Sequence, residues 1–321
     1  MSLRFVVTCL LALNAAPAFA LNVVVTNDDG LTENVRALHA ALKAEGHDVI
    51  VSVPCREQSG MGGAIRFSGE LGPLEKDCRA EAAKAGEPGA GSMTRSDLGP
   101  DFYYVDGTPV MSLLYGLDVA AHKRWGAPPD LVLSGPNIGQ NVGAVVVTSG
   151  TVSNVQHAAA RGIPAIALSA DHGTADDGKV TQMGPKSTAV AQEAIRLVRL
   201  LEAKAAGGPL LPAGVGLNVN FPKVLEGAEW KLTRTGSYNS FTLGFSEDAG
   251  SDPLAKRFGV QRSNLPGVVT GMNTKEPGPD ELDNEAAVIG KNIAVSVMQV
   301  GYDHGTEARQ WFSQHTRDLI K

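Results

Sequence analysis

The sequence predicts an α/β fold, a parallel β-sheet flanked by helices and continued by a C-terminal β-hairpin extension. Three observations lead there. Short apolar or β-branched runs such as Val23-Val24-Val25, Ile50–Val53 and Ile163–Ser169 show no polar alternation, as strands covered on both faces do. Helix-length stretches with apolar residues three and four apart separate them, and a strand, helix, strand order makes neighbouring strands parallel with a right-handed crossover. From about 223 to 286 the pattern turns polar and is punctuated by Gly and Pro, which reads as hairpins and an oligomerisation arm.

The first twenty residues stand apart from that fold. Arg4, the apolar run Phe5–Leu13 and Ala18-Phe19-Ala20 follow the layout of a cleavable signal peptide, and the run is too short to span a bilayer. The expected mature chain starts at Leu21, is soluble, and is periplasmic in a Gram-negative source or otherwise secreted, with no membrane partner. The expected organisation is a signal at 1–20, a core at about 21–222 plus 287–300, an arm at about 223–286 and a terminal segment at 301–321. A net charge of −6 offers no basic surface to a nucleic-acid polymer, and a small anionic substrate would need a local cation. Beyond the signal remain Cys55 and Cys78, which can pair in an oxidising compartment or stay as buried thiols. No Cys/His spacing points to zinc.

Taken in order, Val23–Val25 form a buried strand that ends in Asn27-Asp28-Asp29-Gly30. Val35, Leu38, Ala41 and Leu42 lie on one face of a helix over Thr32–Glu45, which Gly46 stops. Asp48–Val53 is the next strand. Residues 69–100 lack periodicity and read as a surface excursion, part helical over Glu75–Ala85. Phe102–Val105 is a strand, and Thr108-Pro109 opens a helix to about His122 as N-cap and first turn. Asp130–Leu133 runs into Ser134-Gly135-Pro136-Asn137-Ile138-Gly139-Gln140-Asn141, and Ser149-Gly150-Thr151 opens a helix of small residues to Arg161. After the strand Ile163–Ser169 come a helix over Lys186–Ala205 and a strand over Val215–Asn220. Ile293–Met298 is a last strand, and Glu307–Ile320 a terminal helix.

The chemistry gathers where strands end, which is where open α/β sheets bind ligands. Two adjacent carboxylates repel unless a cation or proton lies between them, although Asp-Asp-Gly is also ordinary turn chemistry. Asp28, Asp29, Ser59 and Asn137 offer hard oxygens suited to Mg²⁺, Mn²⁺ or Ca²⁺. The Ser149-Gly150-Thr151 helix start offers N–H groups and hydroxyls to a phosphate, though each residue alone reads as a cap or turn. No GxGxxG follows the first strand, which argues against a nicotinamide dinucleotide.

The ordered set Asn27–Gly30, Ser59-Gly60, Val105-Asp106-Gly107-Thr108-Pro109, Ser134–Asn141 and Ser149–Val152 resembles the SurE phosphatases, the stationary-phase survival proteins E. The likeness continues in Gly162–Ala165, Leu217–Pro222 and Thr233–Gly236. It implies a Rossmann-like core with a dimer-forming arm and a metal-dependent phosphomonoesterase acting on nucleoside 5′- or 3′-monophosphates. By that resemblance Asp28, Asp29, Ser59 and Asn137 match the metal ligands, with Asp28 and Asp29 catalytic. Asn141, Ser149, Gly150 and Thr151 match the phosphate loop, and a homodimer or tetramer is expected. This chain departs from the family pattern at Glu33-Asn34-Val35, at Cys55-Arg56-Glu57-Gln58 and at His157, positions that bear on substrate preference. A broad acid phosphatase or polyphosphatase is the neighbouring reading. A periplasmic solute-binding protein is the non-enzymatic one, and it would need two similar lobes.

Overall fold

The computed structural model describes residues 20–67, 69–175, 183–251, 264–302 and 305–316. All of the predicted signal segment except Ala20 lies outside them, as do residues 317–320 of the predicted terminal helix. In chain order β1 (Asn22–Thr26) leads through α1 (Glu33–Ala44) to β2 (Asp48–Pro54), then to β3 (Ala90–Ser92) and β4 (Phe102–Val105). Next come α2 (Pro109–Tyr115), a wider turn at Gly116–Ala121, α3 (His122–Trp125), β5 (Leu131–Ile138), α4 (Gly150–Ala160) and β6 (Ala165–Ala170). The core continues with α5 (Pro185–Ala205), β7 (Val215–Phe221) and β8 (Trp230–Thr233). The hairpin β9 (Phe241–Ser246) and β10 (Gly267–Met272) follows, then α6 (Glu285–Val288), β11 (Ile293–Gln299) and α7 (Thr306–His315).

Among the described residues β3-β4-β2-β1-β5-β6-β7-β11-β8 form one nine-stranded sheet. The run from β4 to β7 is parallel throughout; β3 and β11 are antiparallel to their neighbours β4 and β7. From β1 the chain moves outward one way to β2 and β4, then returns to build β5, β6 and β7 on the other side. The strand order therefore reverses between β1 and β5, the switch point at which such sheets open a crevice.

Alternation along the buried strands fixes the two layers. Val23, Val25, Val49 and Val51 face α1 and α5, while Val24, Ile50 and Val132 face α2 and α4. The short side chains of α4, Ala158 and Ala159 among them, let that helix lie close on the sheet.

Two expectations are corrected. The 69–100 stretch is no surface excursion. Leu74, Cys78, Ala82, Ala83 and Met93 are buried in the same core as α1 and α5, and Ala90–Ser92 adds an edge strand. Apart from a short turn at Arg79–Glu81 it is not helical, because a Cys55–Cys78 disulfide and paired loop backbone organise it instead. Trp230–Thr233, read as part of the arm, pairs with Ile293–Ser296 in the main sheet. The arm proper is the separate β9–β10 hairpin, whose Phe245 and Val268 are exposed. Among the described residues the core is built on one nine-stranded sheet, with the two-stranded β9–β10 sheet apart from it, and not on two similar lobes.

Candidate active site

The turn after β1 is closed by its own asparagine: Asn27 Nδ2 donates to the Gly30 carbonyl (2.8 Å) and Gly30 N–H donates back to Asn27 Oδ1 (3.1 Å). Gly30 has φ +84°, and a Cβ there would stand 2.9 Å from the Pro54 carbonyl, so only glycine lets the turn rest on the end of β2. Asp28 and Asp29 are thereby fixed at the switch point, and both are buried.

Each carboxylate is held from a different element. Asp28 accepts from the Thr151 hydroxyl (2.6 Å) and the Thr151 N–H (3.1 Å), so the N-terminus of α4 receives the chain's own carboxylate. Asp29 accepts from the Ile138 N–H at the end of β5 (2.9 Å), and its carbonyl accepts from Arg79 Nη1 (3.0 Å). Burial pushes the Asp28 carboxyl above its usual range against the pull of the Thr151 bonds. Burial, with Asp28 beside it, pushes Asp29 up to about 8. Glu57 adds negative field at both.

Asn137 arrives through an irregularity in β5. The register against β6 shifts between Ser134 and Asn137, and at Gly135 a Cβ would fall 2.0 Å from the Leu168 carbonyl. Asn137 Nδ2 donates to the Gly139 carbonyl (2.7 Å), which leaves Oδ1 buried and without a partner. An orphaned buried oxygen beside two carboxyls whose pKa values burial raises fits a hard cation, since it would satisfy all three. Among the described residues no three His, Cys, Asp or Glu cluster as metal ligands; a site here draws on two carboxylates and neutral oxygens.

The other predicted residues are placed less uniformly. Ser59 is exposed on the loop after β2, a loop anchored to the acidic turn by Gln58 N–H donating to the Asp28 carbonyl (2.8 Å). Ser149 caps α4, its hydroxyl accepting from Val152 N–H (3.1 Å). A Cβ on Gly150 would stand 2.8 Å from Asp28 Cβ and 2.6 Å from Pro109 Cγ. Asn141 turns its Nδ2 to Ser169 Oγ (2.9 Å), so that donor is engaged within the sheet. Thr151 faces Asp28, where the sequence reading had it facing substrate.

Three residues near the site were given no role there by the sequence. Asn154 donates to Ser134 Oγ (3.2 Å) and sits one turn after Thr151, a spacing that marks a shared helix face. Glu57, noted in the sequence only as a departure from the family pattern, lies two positions before Ser59 and accepts from its N–H (2.5 Å). Arg79 carries no local sign, because a fold-level contact brings it to Asp29.

A parallel α/β sheet with a buried carboxylate pair and a helix N-terminus at its switch point defines a Rossmann-like protein. A family profile described as Survival protein SurE matches residues 23–241, and the chain belongs to that family. An acid phosphatase of Yarrowia lipolytica is 36% identical over 207 residues, covering 63% of this chain and 57% of that protein. A 5′-nucleotidase SurE of Thermosipho melanesiensis is 31% identical over 216 residues, 67% of this chain and 71% of that protein. The matched stretch thus spans less than two thirds of the Yarrowia relative. The SurE protein of Aquifex aeolicus shares the fold, with a TM-score of 0.62 at 24% identity over 92% of this chain and 100% of that one.

Proposed function

We propose that this chain is an exported, divalent-metal-dependent phosphomonoesterase that hydrolyses nucleoside 5′- or 3′-monophosphates to nucleoside and phosphate. The observation that carries the reading is the buried Asp28–Asp29 pair sharing the switch point with the unpartnered Asn137 Oδ1. The names of the relatives, acid phosphatase and 5′-nucleotidase, support the phosphomonoester class.

Asp28, Asp29, Asn137 and, from its loop, Ser59 would hold the cation, with Mg²⁺ or Mn²⁺ preferred and Ca²⁺ also suited by its oxygen donors. When bound, that ion supplies Lewis acidity and a water of lowered pKa. Thr151 locks Asp28 with two donors, whereas the Asp29 carboxylate takes the single Ile138 N–H. Asp29 is therefore assigned to orient the attacking water and accept its proton. Ser149 and Gly150 put the positive end of α4 on the phosphate side, with Asn141 on the adjoining loop.

Export is supported by the pattern of residues 1–20 and by the Cys55–Cys78 bond, which suits an oxidising compartment. Among the described residues no helix is long and apolar enough to cross a membrane. A homodimer or tetramer is supported by the exposed Leu243, Phe245, Val268 and Met272 of the hairpin and by Trp311 and Phe312 of α7.

The deciding assay is phosphate release from AMP, 3′-AMP and p-nitrophenyl phosphate with Mg²⁺, Mn²⁺, Ca²⁺ or EDTA. Metal-dependent release from the nucleotides is expected, and the absence of EDTA-sensitive release overturns the reading. The Yarrowia relative favours a second reading, a broad acid phosphatase, which equal kcat/KM on p-nitrophenyl phosphate and AMP would select.

A further inference from the structure

Among the described residues the acidic turn is touched by Arg79, a cation from a segment the fold has to tie in place. Arg79 Nη1 donates to the Asp29 carbonyl (3.0 Å), and its Cβ and Cδ would both lie 3.6 Å from a Cβ on Gly30, so the side chain lies along the turn. What seats Arg79 is the residue before it. Cys78 is bonded to Cys55, the first residue after β2, and Arg79 N–H donates to the Cys55 carbonyl (2.7 Å). Cys55 N–H in turn donates to the Val105 carbonyl at the end of β4 (2.7 Å). A continuous path therefore runs from the sheet through the disulfide to Arg79 and on to Asp29.

Beyond Arg79 the backbone is one that relaxes when released. Ala80 and Glu81 have φ of 53° and 54°, left-handed values that non-glycine residues adopt only under strain. Surrounding contacts sustain them: the disulfide on one side, and on the other Arg95 Nη1 donating to the Ala80 carbonyl (2.9 Å) and Thr94 N–H to the Ala82 carbonyl (2.9 Å).

We propose that Arg79, seated by the Cys55–Cys78 disulfide, is a positioning residue for Asp29, and that the site's grip on a divalent cation depends on that bond. This rests on Asp28 and Asp29 being cation ligands. Two-electron reduction by a dithiol leaves a thiol on each cysteine and closes the dithiol into a cyclic disulfide. The Arg79 segment is then untethered, and the turn carrying Asp29 loses its brace.

Sign separates positioning from charge. Removing a positive group from beside a cation site tightens binding if only the field matters, and loosens it if the group holds a ligand in place. The experiment is Mn²⁺ titration calorimetry on wild type, Arg79→Met, Cys55→Ser/Cys78→Ser and the triple variant, with folding checked by circular dichroism. Metal-saturated kcat is measured in parallel. Arg79→Met and the double serine variant are each expected to weaken Mn²⁺ binding about tenfold, as loss of a charge-assisted hydrogen bond does. Saturated kcat should fall as well, because Asp29 is also assigned to orient the attacking water, and the triple variant should bind Mn²⁺ no more weakly than either parent.

Unchanged or tighter Mn²⁺ binding in Arg79→Met overturns the proposal. So does a triple variant weakened about a hundredfold, because independent effects multiply. If the serine variant does not fold, wild type reduced with dithiothreitol and desalted takes its place. Should that unfold too, Arg79→Met decides alone. A wild type that binds no Mn²⁺ and releases no phosphate would instead overturn the phosphatase reading.

Discussion

Asp28 and Asp29 meet the cost of adjacency in different ways: the first is clamped by Thr151, while the second, pushed up to about 8, holds a proton at neutral pH when no cation is present. Asp28→Asn or Asp29→Asn is expected to abolish phosphate release with the fold intact. Melting of Asp29→Asn in EDTA should be unchanged, because the protonated carboxyl and the amide are both neutral, whereas Asp28→Asn should melt lower because its amide must face one of the two Thr151 donors. Equal activity of either variant after metal is replenished would show that the pair is only a turn. Thr151→Ala tests the clamp. It removes a hydroxyl bonded to a carboxylate, so kcat should fall about 10–100-fold, the span of a lost charge-assisted hydrogen bond. Half-saturating metal should rise with it, since Asp28 loses its orientation. A fall in kcat with the metal dependence unmoved would place Thr151 on the phosphate, as the sequence reading had it.

At the scale of elements, the site is the meeting of β1, β5 and α4, and Gly150 sets how closely they meet. Alanine is ordinarily the better helix former by roughly 1 kcal/mol. Here its Cβ would stand 2.6 Å from Pro109 Cγ and 2.8 Å from Asp28 Cβ, and neither neighbour is the end of a flexible chain. Overpacking of that kind costs about 1–3 kcal/mol, so sterics win over propensity. Gly150→Ala should unfold at lower denaturant and lose activity as Asp28 is displaced. Wild-type stability in urea would show instead that α4 can slide away from the turn.

Over the whole molecule, buried acids couple stability to pH and to metal. Asp28, Asp29 and Glu285 all have folded pKa values raised by burial. The folded state thus holds protons that the unfolded chain releases, and the stability is complete below the unfolded carboxylate pKa and lost as pH rises toward about 8. His39, His47 and His157, lowered from 6.5 first by burial, act in the opposite sense below that value. The informative window is therefore about pH 7 to 8.5. In EDTA the melting temperature should fall across it, by up to about 1 kcal/mol of stability per pH unit, and Mn²⁺ should flatten the slope by taking the place of the proton. Calorimetry in both buffers reads this, and parallel curves would remove the cation from the acidic pair. Glu285 also joins the arm side to the site. It accepts from Gly143 N–H (3.0 Å), Asn218 Nδ2 (3.0 Å) and Ser296 Oγ (2.8 Å), so Glu285→Gln must point an amide at a donor. About 1–3 kcal/mol of lost stability is expected in denaturant unfolding, and a neutral effect would mean that Glu285 is held protonated.

The sequence by itself determined the order of the elements and the strand-end placement of Asp28, Asp29 and Asn137. Apolar periodicity, caps such as Thr32, Thr108 and Ser149, and chain-breaking Gly and Pro act between neighbouring residues and can be read from them. What only the tertiary structure decided is which distant groups meet. Thr151 reaches Asp28 across 123 positions, Ile138 reaches Asp29 across 109, and Arg79 comes to the turn through a bond between cysteines 23 positions apart. It also decided that residues 69–100 belong to the core and that Trp230–Thr233 belong to the sheet. Such pairings depend on burial and strand order summed over the whole chain. No local spacing encodes them, so the strand-end positions of Asp28, Asp29 and Asn137 were legible beforehand and the residues that hold them in place were not.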